Sequence, residues 1–364
     1  MPAPVTTGIP SLLVADNRVP LFSRRRAVEL RPHPLMQISA VGDVMLAGRL
    51  AGVIERYGAD YPFAATSSLL KSVDLALANL EAPFTDLGSR FAGKQFTFRV
   101  SPAWGKALAG AGIDVVTLAN NHILDYGCDG LAQTEQVLRD LDIAFCGAGS
   151  NRERACSATV VSRFGVRTAF LGYSMTYPED FWAGPESCGT CFPTPGLMRE
   201  GIAQARESAD LVVVSFHWSA EKRTRPKPYQ IEYAHRAIDL GADLVIGHHP
   251  HVLQGFELYK GRLIAYSLGN YVFGSLSRTA RTSVILQVML SPAGLQIARL
   301  VPICVDNYRV HFQPAEVTGE EGRALLAELD ALSLDLNGGR HLISTDGYII
   351  PPPFGCAGRD LTAE

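Results

Sequence analysis

Short apolar runs recur along this chain, and polar clusters follow five of them. The apolar runs extend over residues 36–41, 75–78, 115–118, 143–146, 168–173, 211–216, 244–246 and 263–267. Stretches with a helical pattern lie between them, at 101–111, 130–140, 195–208 and 229–240. Short buried strands that alternate with helices are typical of βαβ units. The pattern therefore predicts an α/β core.

The polar clusters stand where predicted strands end, and all five are rich in possible metal ligands. They are Gly42-Asp43, Asn79-Leu80-Glu81, Asn120 to Asp125, His217-Trp218 and Gly247 to His251. Open α/β sheets place their ligands beyond the carboxyl ends of the strands, so we expect these side chains to converge. Carboxylate, amide and imidazole groups are ligands for divalent cations. The candidate site residues are Asp43, Glu81, Asn121, His122, His217, His249 and His251.

Each cluster taken alone has an ordinary structural explanation. A Gly-Asp pair after a strand is often a turn or a helix cap, and a single His217 is more often a buried, hydrogen-bonded histidine. Three histidines within residues 248–251 are harder to explain by packing. Pro250 keeps this segment from forming a helix, so His249 and His251 can project to the same side. The clusters together favour a metal site.

Composition and charge exclude several other classes of protein. The chain has 364 residues, of which 47% are hydrophobic and 19% charged, with a formal net charge of −3. This balance indicates a globular protein with a sizeable core, and it argues against a nucleic-acid partner. The sequence has neither a signal-peptide pattern in residues 1–34 nor an apolar stretch long enough for a transmembrane helix. We therefore expect a cytoplasmic protein with no integral membrane segment.

The seven cysteines lie far apart in the sequence, except for Cys188 and Cys191. An odd number of scattered cysteines differs from the dense even framework of small secreted domains. A single Cys-x-x-Cys pair is a weak indication of a metal or redox site. We therefore expect reduced structural thiols, which agrees with a cytoplasmic location.

The second half of the chain has more strands and then a helix. Residues 283–290 and 296–303 predict an antiparallel pair around Pro292-Ala293-Gly294, and residues 320–334 predict an amphipathic helix. The predicted organisation is an N-terminal extension over 1–34, one domain over 35–335 and a C-terminal tail over 336–364. The sequence leaves the oligomeric state open.

At these motifs the chain resembles the CapA family of capsule, or poly-γ-glutamate, synthesis proteins. This family is a branch of the calcineurin-like metallophosphoesterase fold. The resemblance covers about residues 36–334 and rests on seven ordered segments, which are 41–46, 78–81, 118–127, 215–218, 247–251, 266–270 and 306–309. It implies a calcineurin-like two-sheet α/β/β/α sandwich with mixed sheets, with the metal at one end of the sheets.

The resemblance also implies individual roles, with two departures from the phosphoesterase pattern. Asp43 looks like the first metal aspartate, and Glu81 stands where a bridging aspartate is usual. Asn121 looks like the asparagine of the Asn-His pair, and the implied metal ligands are completed by His217, His249 and His251. Met45 occupies the position of a usual histidine ligand. Loss of that nitrogen favours one hard ion (Ca, Mg or Mn) over a dinuclear zinc or iron centre, with two ions as the alternative. It also argues against routine phosphate-ester hydrolysis.

Four functions fit this set of residues. The first is metal-assisted hydrolysis or acyl transfer on a peptide or polyglutamyl substrate, as the capsule association of the family implies. The second is epimerisation of a ribosomally made peptide, in which two bases exchange a proton at an α-carbon. The third is phosphoesterase activity. The fourth is a non-catalytic scaffold for capsule synthesis.

The first function assigns catalytic and substrate-binding roles to further residues. His122, with Asp125 or Asp86 as its paired carboxylate, would move a proton, and His251 is a second candidate for that role. The predicted substrate-binding residues are Arg223, Arg225, Trp218, His248 and Asn270. The two arginines belong to a basic run over 222–227 that we expect to hold an anionic group, although a solvated loop explains the run equally well.

Overall fold

A computed structural model describes residues 35–352 of the chain. Seventeen strands form within this range. They are β1 (Met36–Met45), β2 (Leu75–Leu80), β3 (Val115–Thr117), β4 (Ala144–Cys146), β5 (Ala148–Gly149), β6 (Thr159–Arg163), β7 (Val166–Ser174), β8 (Gly189–Thr190), β9 (Leu211–His217), β10 (Leu244–His248), β11 (Phe256–Tyr259), β12 (Arg262–Ala265), β13 (Asn270–Phe273), β14 (Thr282–Ser291), β15 (Gly294–Cys304), β16 (Ala315–Glu316) and β17 (Tyr348–Ile349).

Nine α-helices lie between these strands in the described part of the chain. They are α1 (Leu50–Tyr57), α2 (Ser67–Leu70), α3 (Lys106–Ala111), α4 (Gly127–Asp140), α5 (Arg152–Cys156), α6 (Pro195–Ser208), α7 (Pro228–Leu240), α8 (Asn307–Val310) and α9 (Gly319–Ser333). The longer ones begin with recognisable signals: Pro195 and Pro228 stand at the first positions of α6 and α7, and the side chain of Thr194 caps α6.

Two mixed sheets carry the architecture. The larger has nine strands, ordered β16-β15-β14-β1-β2-β3-β4, with β13 also paired to β1 and β17 to β15. The smaller has six, ordered β11-β12-β10-β9-β7-β6. β1 to β4 run parallel to one another in the larger sheet, and β7, β9, β10 and β12 do so in the smaller. The carboxyl ends of each parallel set therefore meet at one edge of its sheet.

The sheets face each other across an apolar core, and helices cover their outer faces. The core between them combines Met36 and Ile38 of β1 with Val213 of β9 and Leu244 of β10. A second cluster joins the outer face of the larger sheet to α1 to α4, and a third joins the smaller sheet to α5, α6 and α7. Strands buried on both faces explain the nearly continuous apolar runs in the sequence. The predicted two-sheet α/β sandwich with mixed sheets is confirmed.

The local predictions agree with these elements to within a few residues. All eight predicted strands, the antiparallel pair β14–β15 and the five predicted helices form. The helix predicted over 101–111 is shorter than expected, because its first turn is a 3-10 helix over Pro102–Trp104 and α3 begins only at Lys106. Seven strands were not predicted, which are β5, β6, β8, β11, β13, β16 and β17. Four of them, β5, β8, β16 and β17, have only two residues, which are too few to show a period.

The prediction of reduced thiols is wrong for four cysteines. Cys128 is bonded to Cys188, and Cys156 to Cys191. Cys188 and Cys191 are close in the sequence, but the fold gives each of them a partner on a different helix, α4 or α5. Cys146 and Cys304 are free and buried. Cys356 lies outside the described residues.

The ends of the predicted domain can be followed only in part. The N-terminal extension over 1–34 and residues 353–364 of the predicted tail lie outside the described residues. Residues 336–352 include β17, which pairs with β15 and places Ile349 in the core between the sheets. Among the helices of residues 35–352, none has the length and apolar character required to cross a membrane.

Candidate metal centre

The predicted ligands come together where the parallel strands of both sheets end. Asp43 lies near the end of β1, Glu81 directly after β2, His217 at the end of β9, and His249 and His251 just beyond β10. The two sheets approach each other here, so loops from separate parts of the sequence surround one buried point. Ligand sites at the carboxyl ends of parallel strands follow from this arrangement.

Asp43 is the most heavily surrounded side chain of the site. It is fully buried, and its carboxylate accepts a hydrogen bond of 2.8 Å from Asn79 Nδ2 and lies 3.0 Å from His251 Nδ1. The His249 backbone N–H also donates to it at 3.4 Å. Burial alone would raise the pKa of Asp43, but the hydrogen bonds from His248 and His251 hold it well below its usual range. Asp43 is therefore an anion at neutral pH.

Glu81 is a second buried carboxylate beside the first. Its Oε1 lies 3.6 Å from His217 Nε2 and 3.7 Å from His251 Nε2, and it has no hydrogen-bond partner among residues 35–352. Burial raises the pKa of Glu81 well above its usual range, and the neighbouring Asp43 raises it further. Two carboxylates held this close without a cation are costly.

The three histidines complete the arrangement with different electrostatic environments. Burial lowers the pKa of His249 to about 3 and also lowers the pKa of His217 well below its usual range. Burial would also lower the pKa of His251, but Glu81 and Asp43 raise it to about 9. His217 and His249 therefore present neutral rings, which is the form that binds a metal.

The segment that carries His249 and His251 has an unusual backbone. Their φ angles are 93° and 58°, in a region that side chains other than glycine rarely adopt. The rings lie 5.8 Å apart between centroids, on either side of Pro250. Backbone strain of this kind is typical of functional sites, where the surrounding structure holds a side chain in a required position.

The donor set fits a divalent cation. Two overlapping groups, Glu81–His249–His251 and Asp43–Glu81–His217, each place their ligand atoms within 4.8 Å of one another. Buried Glu81 Oε1 and His249 Nδ1 both lack a hydrogen-bond partner in the described part of the chain. A cation would satisfy both atoms, and carboxylates mixed with imidazoles suit several divalent ions. Met45 lies buried in an apolar cluster, as expected for a position that supplies no ligand.

Asn121 and His122 lie on the loop after β3, beside these ligands. Asn121 Oδ1 accepts a hydrogen bond of 2.8 Å from His217 Nε2, which brings it into the site. His122 Nδ1 lies 2.7 Å from Asp125 Oδ2, and both side chains are nearly buried. Burial lowers the pKa of His122 against the effect of its hydrogen bond to Asp125. A neutral imidazole oriented by a carboxylate is a suitable proton carrier.

Asp86 is not part of the site, which corrects its assignment as an alternative to Asp125. It lies exposed on the surface, where its carboxylate accepts a hydrogen bond of 2.6 Å from Gln133 Nε2 of α4. His122 is bonded to Asp125 instead, because the two lie three residues apart on one tight loop.

Two predicted substrate-binding residues are buried. Trp218 is fully buried, stacks on Phe216 at 4.6 Å and donates its indole N–H to Tyr266 O at 3.0 Å. His248 is also buried, behind the site, with Nδ1 3.2 Å from Asp43 Oδ1. Adjacent residues on a strand face opposite sides, and spacing alone does not resolve which neighbour faces the site, so the substrate-binding role of these two residues stays a prediction.

The other predicted substrate-binding residues have different surroundings. Asn270 begins β13 and accepts a hydrogen bond of 2.9 Å from His251 Nδ1, so it orients a ligand of the site. Arg225 Nη1 lies 2.5 Å from Oδ2 of the exposed Asp335, so its charge is paired with that carboxylate. Arg223 is exposed and donates to Arg225 O. Lys222 N–H donates to Pro250 O at 2.8 Å, so the start of the basic run lies against the histidine segment.

Three polar residues of the site were not predicted. Asn79 connects Asp43 and Glu81 through its Nδ2, and Asn120 in turn donates to Asn79 Oδ1 at 3.1 Å. Both asparagines belong to polar clusters that the sequence shows. Their position in those clusters, next to predicted ligands, is the signal that could have identified them. Lys94 contacts Asp125 at 2.5 Å from an irregular loop. The sequence carries no comparable signal for Lys94.

Comparison with known proteins identifies the family. Residues 37–275 match the model of the bacterial capsule synthesis protein family PGA_cap. This chain belongs to that family. The match includes every residue of the metal centre described above, from Asp43 to His251.

Curated relatives carry related names. The chain is 33% identical over 303 residues to the capsule biosynthesis protein CapA of Bacillus anthracis, covering 81% of this chain and 74% of that one. It is 33% identical over 299 residues to the PGA biosynthesis protein CapA of Bacillus subtilis (strain 168), covering 81% and 78%. It is 30% identical over 302 residues to a probable polyglutamine synthesis accessory protein of Mycobacterium tuberculosis, covering 78% and 80%.

Among solved structures, the chain is similar to a 5'-nucleotidase precursor from Thermus thermophilus. The TM-score is 0.44 at 14% sequence identity, and the match covers 81% of this chain and 58% of that chain.

Proposed function

We propose that this member of the capsule synthesis family is a metal-dependent enzyme that acts on glutamyl amide bonds. The observation that carries the proposal is the buried pair Asp43 and Glu81 with His217, His249 and His251 around it. A binding scaffold has no need to bury two carboxylates and leave Glu81 Oε1 without a partner. The names of the relatives, which refer to capsule, PGA and polyglutamine synthesis, favour a polyglutamyl substrate.

The cation and the protein would divide the chemistry. When bound by Asp43, Glu81 and the histidines, a divalent cation supplies positive charge that polarises a carbonyl oxygen. A hard ion such as Mg, Mn or Ca suits the carboxylates and a carboxylate-rich substrate. We propose one ion held mainly by the group that includes Glu81, His249 and His251, with Asn121 beside it. A second ion at Asp43, Glu81 and His217 is the alternative.

His122 would move the proton in this reaction. In this proposal His122 Nδ1–H donates a hydrogen bond to Asp125, which orients the ring and leaves Nε2 with a lone pair for general-base catalysis. The His122 side chain is 12% exposed, so part of it is open to solvent while most of it is shielded from water. Hydrolysis follows if this base activates water, and acyl transfer follows if it activates an amine.

We also propose that the chain folds in an oxidising compartment and not in the cytoplasm. The structure has two disulfides, Cys128–Cys188 and Cys156–Cys191. Disulfides are rare in proteins of reducing compartments. Alkylation of the purified, unreduced protein, followed by mass spectrometry of its peptides, measures the state of these four thiols. Full alkylation at all four positions would show free thiols, and it would favour a cytoplasmic location instead.

The enzymatic proposal is tested with a γ-linked glutamate oligomer as substrate. Protein freed of metal and then supplied with Mg²⁺ or Mn²⁺ should shorten or extend the oligomer, as measured by mass spectrometry and by the release of primary amines. Asp43→Asn and His122→Gln should abolish the change. The control His235→Gln should not, because His235 lies on α7 and pairs with Glu257.

The same reaction in D₂O separates the alternative functions. Hydrolysis or transfer changes the chain length, whereas epimerisation would add 1 Da of deuterium at an α-carbon and leave the length unchanged. Release of phosphate from a phosphate ester, with no change in the oligomer, would favour a phosphoesterase. No turnover of any substrate with metal bound would favour a non-catalytic role.

A further inference from the structure

An irregular loop over residues 85–99 folds across Asp125 and holds it from three directions. Phe91 N–H donates to the Asp125 backbone carbonyl at 2.8 Å, and Phe98 N–H donates to its Oδ2 at 2.7 Å. Lys94 Nζ donates to its Oδ1 at 2.5 Å. Asp125 is fully buried beneath this loop. The loop therefore fixes the carboxylate that faces His122.

Lys94 is the charged member of these contacts, and its own surroundings hold it in place. Its Nζ donates to the Asn121 backbone carbonyl, lies 3.0 Å from His122 Nδ1, and stands 5.1 Å from the centre of the Phe181 ring. The side chain is only 13% exposed. A buried ammonium needs acceptors for its protons, and here Asp125 and Asn121 supply them.

The contacts of Asp125 decide which ring nitrogen of His122 carries the proton. Asp125 Oδ1 is occupied by Lys94, so His122 Nδ1 faces Oδ2 at 2.7 Å. A carboxylate oxygen only accepts hydrogen bonds, so Nδ1 must carry a proton toward it. Lys94 Nζ lies 3.0 Å from Nδ1, and its ammonium could donate there only if Nδ1 carried no proton, which would set the Nδ1 lone pair against Asp125 Oδ2 at 2.7 Å. Its role toward the ring therefore runs through Asp125.

We propose that Lys94 is a positioning residue that orients the Asp125 carboxylate and so holds His122 in the Nδ1-protonated form. Without Lys94, Oδ1 of Asp125 loses its buried partner, and the carboxylate can rotate away from the His122 ring. The Nδ1–H and Nε2–H forms of a free imidazole are close in energy, so the ring would then occupy both. Only the Nδ1–H form leaves Nε2 free to accept a proton from a substrate.

The tautomer can be measured without any substrate. In ¹⁵N-labelled protein, two-bond ¹H–¹⁵N correlation spectra distinguish protonated from unprotonated ring nitrogens, and His122→Gln assigns the His122 signals. We expect the Nδ1–H form in the natural protein, both forms in Lys94→Met, and the Nδ1–H form again in Lys94→Arg. Lys106→Met is the matched control, since Lys106 is an exposed lysine on α3.

The outcome for Lys94→Met decides the inference. A thermal midpoint below that of the natural protein, with the His122 tautomer unchanged, would show a purely structural role and overturn the proposal. If Lys94→Met does not fold, Lys94→Leu removes the same donor with a shorter apolar side chain. It should then give a mixture of forms, and an unmixed Nδ1–H form in Lys94→Leu would likewise overturn the proposal.

The kinetic consequence rests on the proposed function. With a γ-linked glutamate oligomer, Lys94→Met should lower kcat at least about tenfold and leave KM nearly unchanged, because the lysine acts through the base and does not contact the substrate. A rise in KM at constant kcat would show direct substrate binding and contradict a positioning role. If no substrate is turned over, the tautomer measurement still tests Lys94 independently of the proposed function.

Discussion

Replacement of Glu81 by glutamine separates the stability of the metal-free protein from its response to metal. Glu81 is fully buried, its Oε1 has no partner among residues 35–352, and Asp43 raises its pKa. Glutamine has the same shape and no charge to desolvate. Metal-free Glu81→Gln should therefore be at least as stable as the natural protein, although most buried polar substitutions destabilise.

The response to metal should change in the opposite direction. A cation at about 100 times its Kd stabilises a native protein by about 2.7 kcal/mol. In domains of about 150–250 residues 1 kcal/mol raises Tm by about 2–4 °C, so about 4 °C is expected for this larger chain. Loss of a residue that only supports a ligand weakens binding about 10–100-fold, so loss of Glu81 should cost at least about 100-fold. The same metal concentration should then raise Tm by about 1 °C or less.

Thermal unfolding in a chelator and in Mn²⁺ or Mg²⁺ measures both effects in one experiment. The matched control is Glu257→Gln, because Glu257 is another buried glutamate, paired with His235 and Tyr266 away from the site. It should lose stability in both conditions and keep the full metal response. A metal response of natural size in Glu81→Gln would refute the assignment of Glu81 as a ligand.

Three further substitutions test other parts of the account. Cys128→Ser removes the disulfide to Cys188, which closes a loop of 60 residues, so the free energy of unfolding in denaturant without reductant should fall by about 4 kcal/mol. Equal unfolding midpoints for the variant and the natural protein would contradict the disulfide. Asp330 accepts backbone N–H groups of residues 342 and 343 and pairs with His341; burial raises its pKa, but these hydrogen bonds lower it overall. The ionised Asp330 carboxylate therefore stabilises the fold above its unfolded pKa, and this stabilisation is lost as pH falls through its folded pKa. Asp330→Asn should be less stable than the natural protein at pH 7 by about 1 kcal/mol. A difference in stability that does not shrink below about pH 4 would contradict this. In Gly247→Ala the new Cβ would lie 2.0 Å from Tyr266 O, so both Tm and the metal response should fall; natural values of both would show that β10 tolerates the methyl group.

Much of the fold could be predicted because the buried strands are uniform. All seven residues of β9 are buried, so their side chains are apolar almost without interruption until His217 ends the strand. The same reasoning located Asp43 and Glu81, since a polar residue at the end of a buried strand stands out. Strand ends are thus the part of this site that sequence reveals best.

The remaining parts of the site depend on contacts between distant segments. His248 and His249 are neighbours of the same type, and only the fold decides that His248 lies behind Asp43 while His249 joins the ligands. Lys94 reaches Asp125 from a loop without any periodic pattern. The partner of Cys188 is 60 residues away, and the connectivity of cysteines does not follow from their spacing.

Elemental analysis of the purified protein tests the central claim most directly. After loading with a mixture of divalent ions and removal of the excess, the natural protein and the control His235→Gln should retain about one equivalent of a divalent ion. Glu81→Gln and His249→Gln should retain almost none, because both residues belong to the group proposed to hold the ion. No retained ion in the natural protein under any loading condition, or full retention in both variants, would contradict a metal centre at these residues.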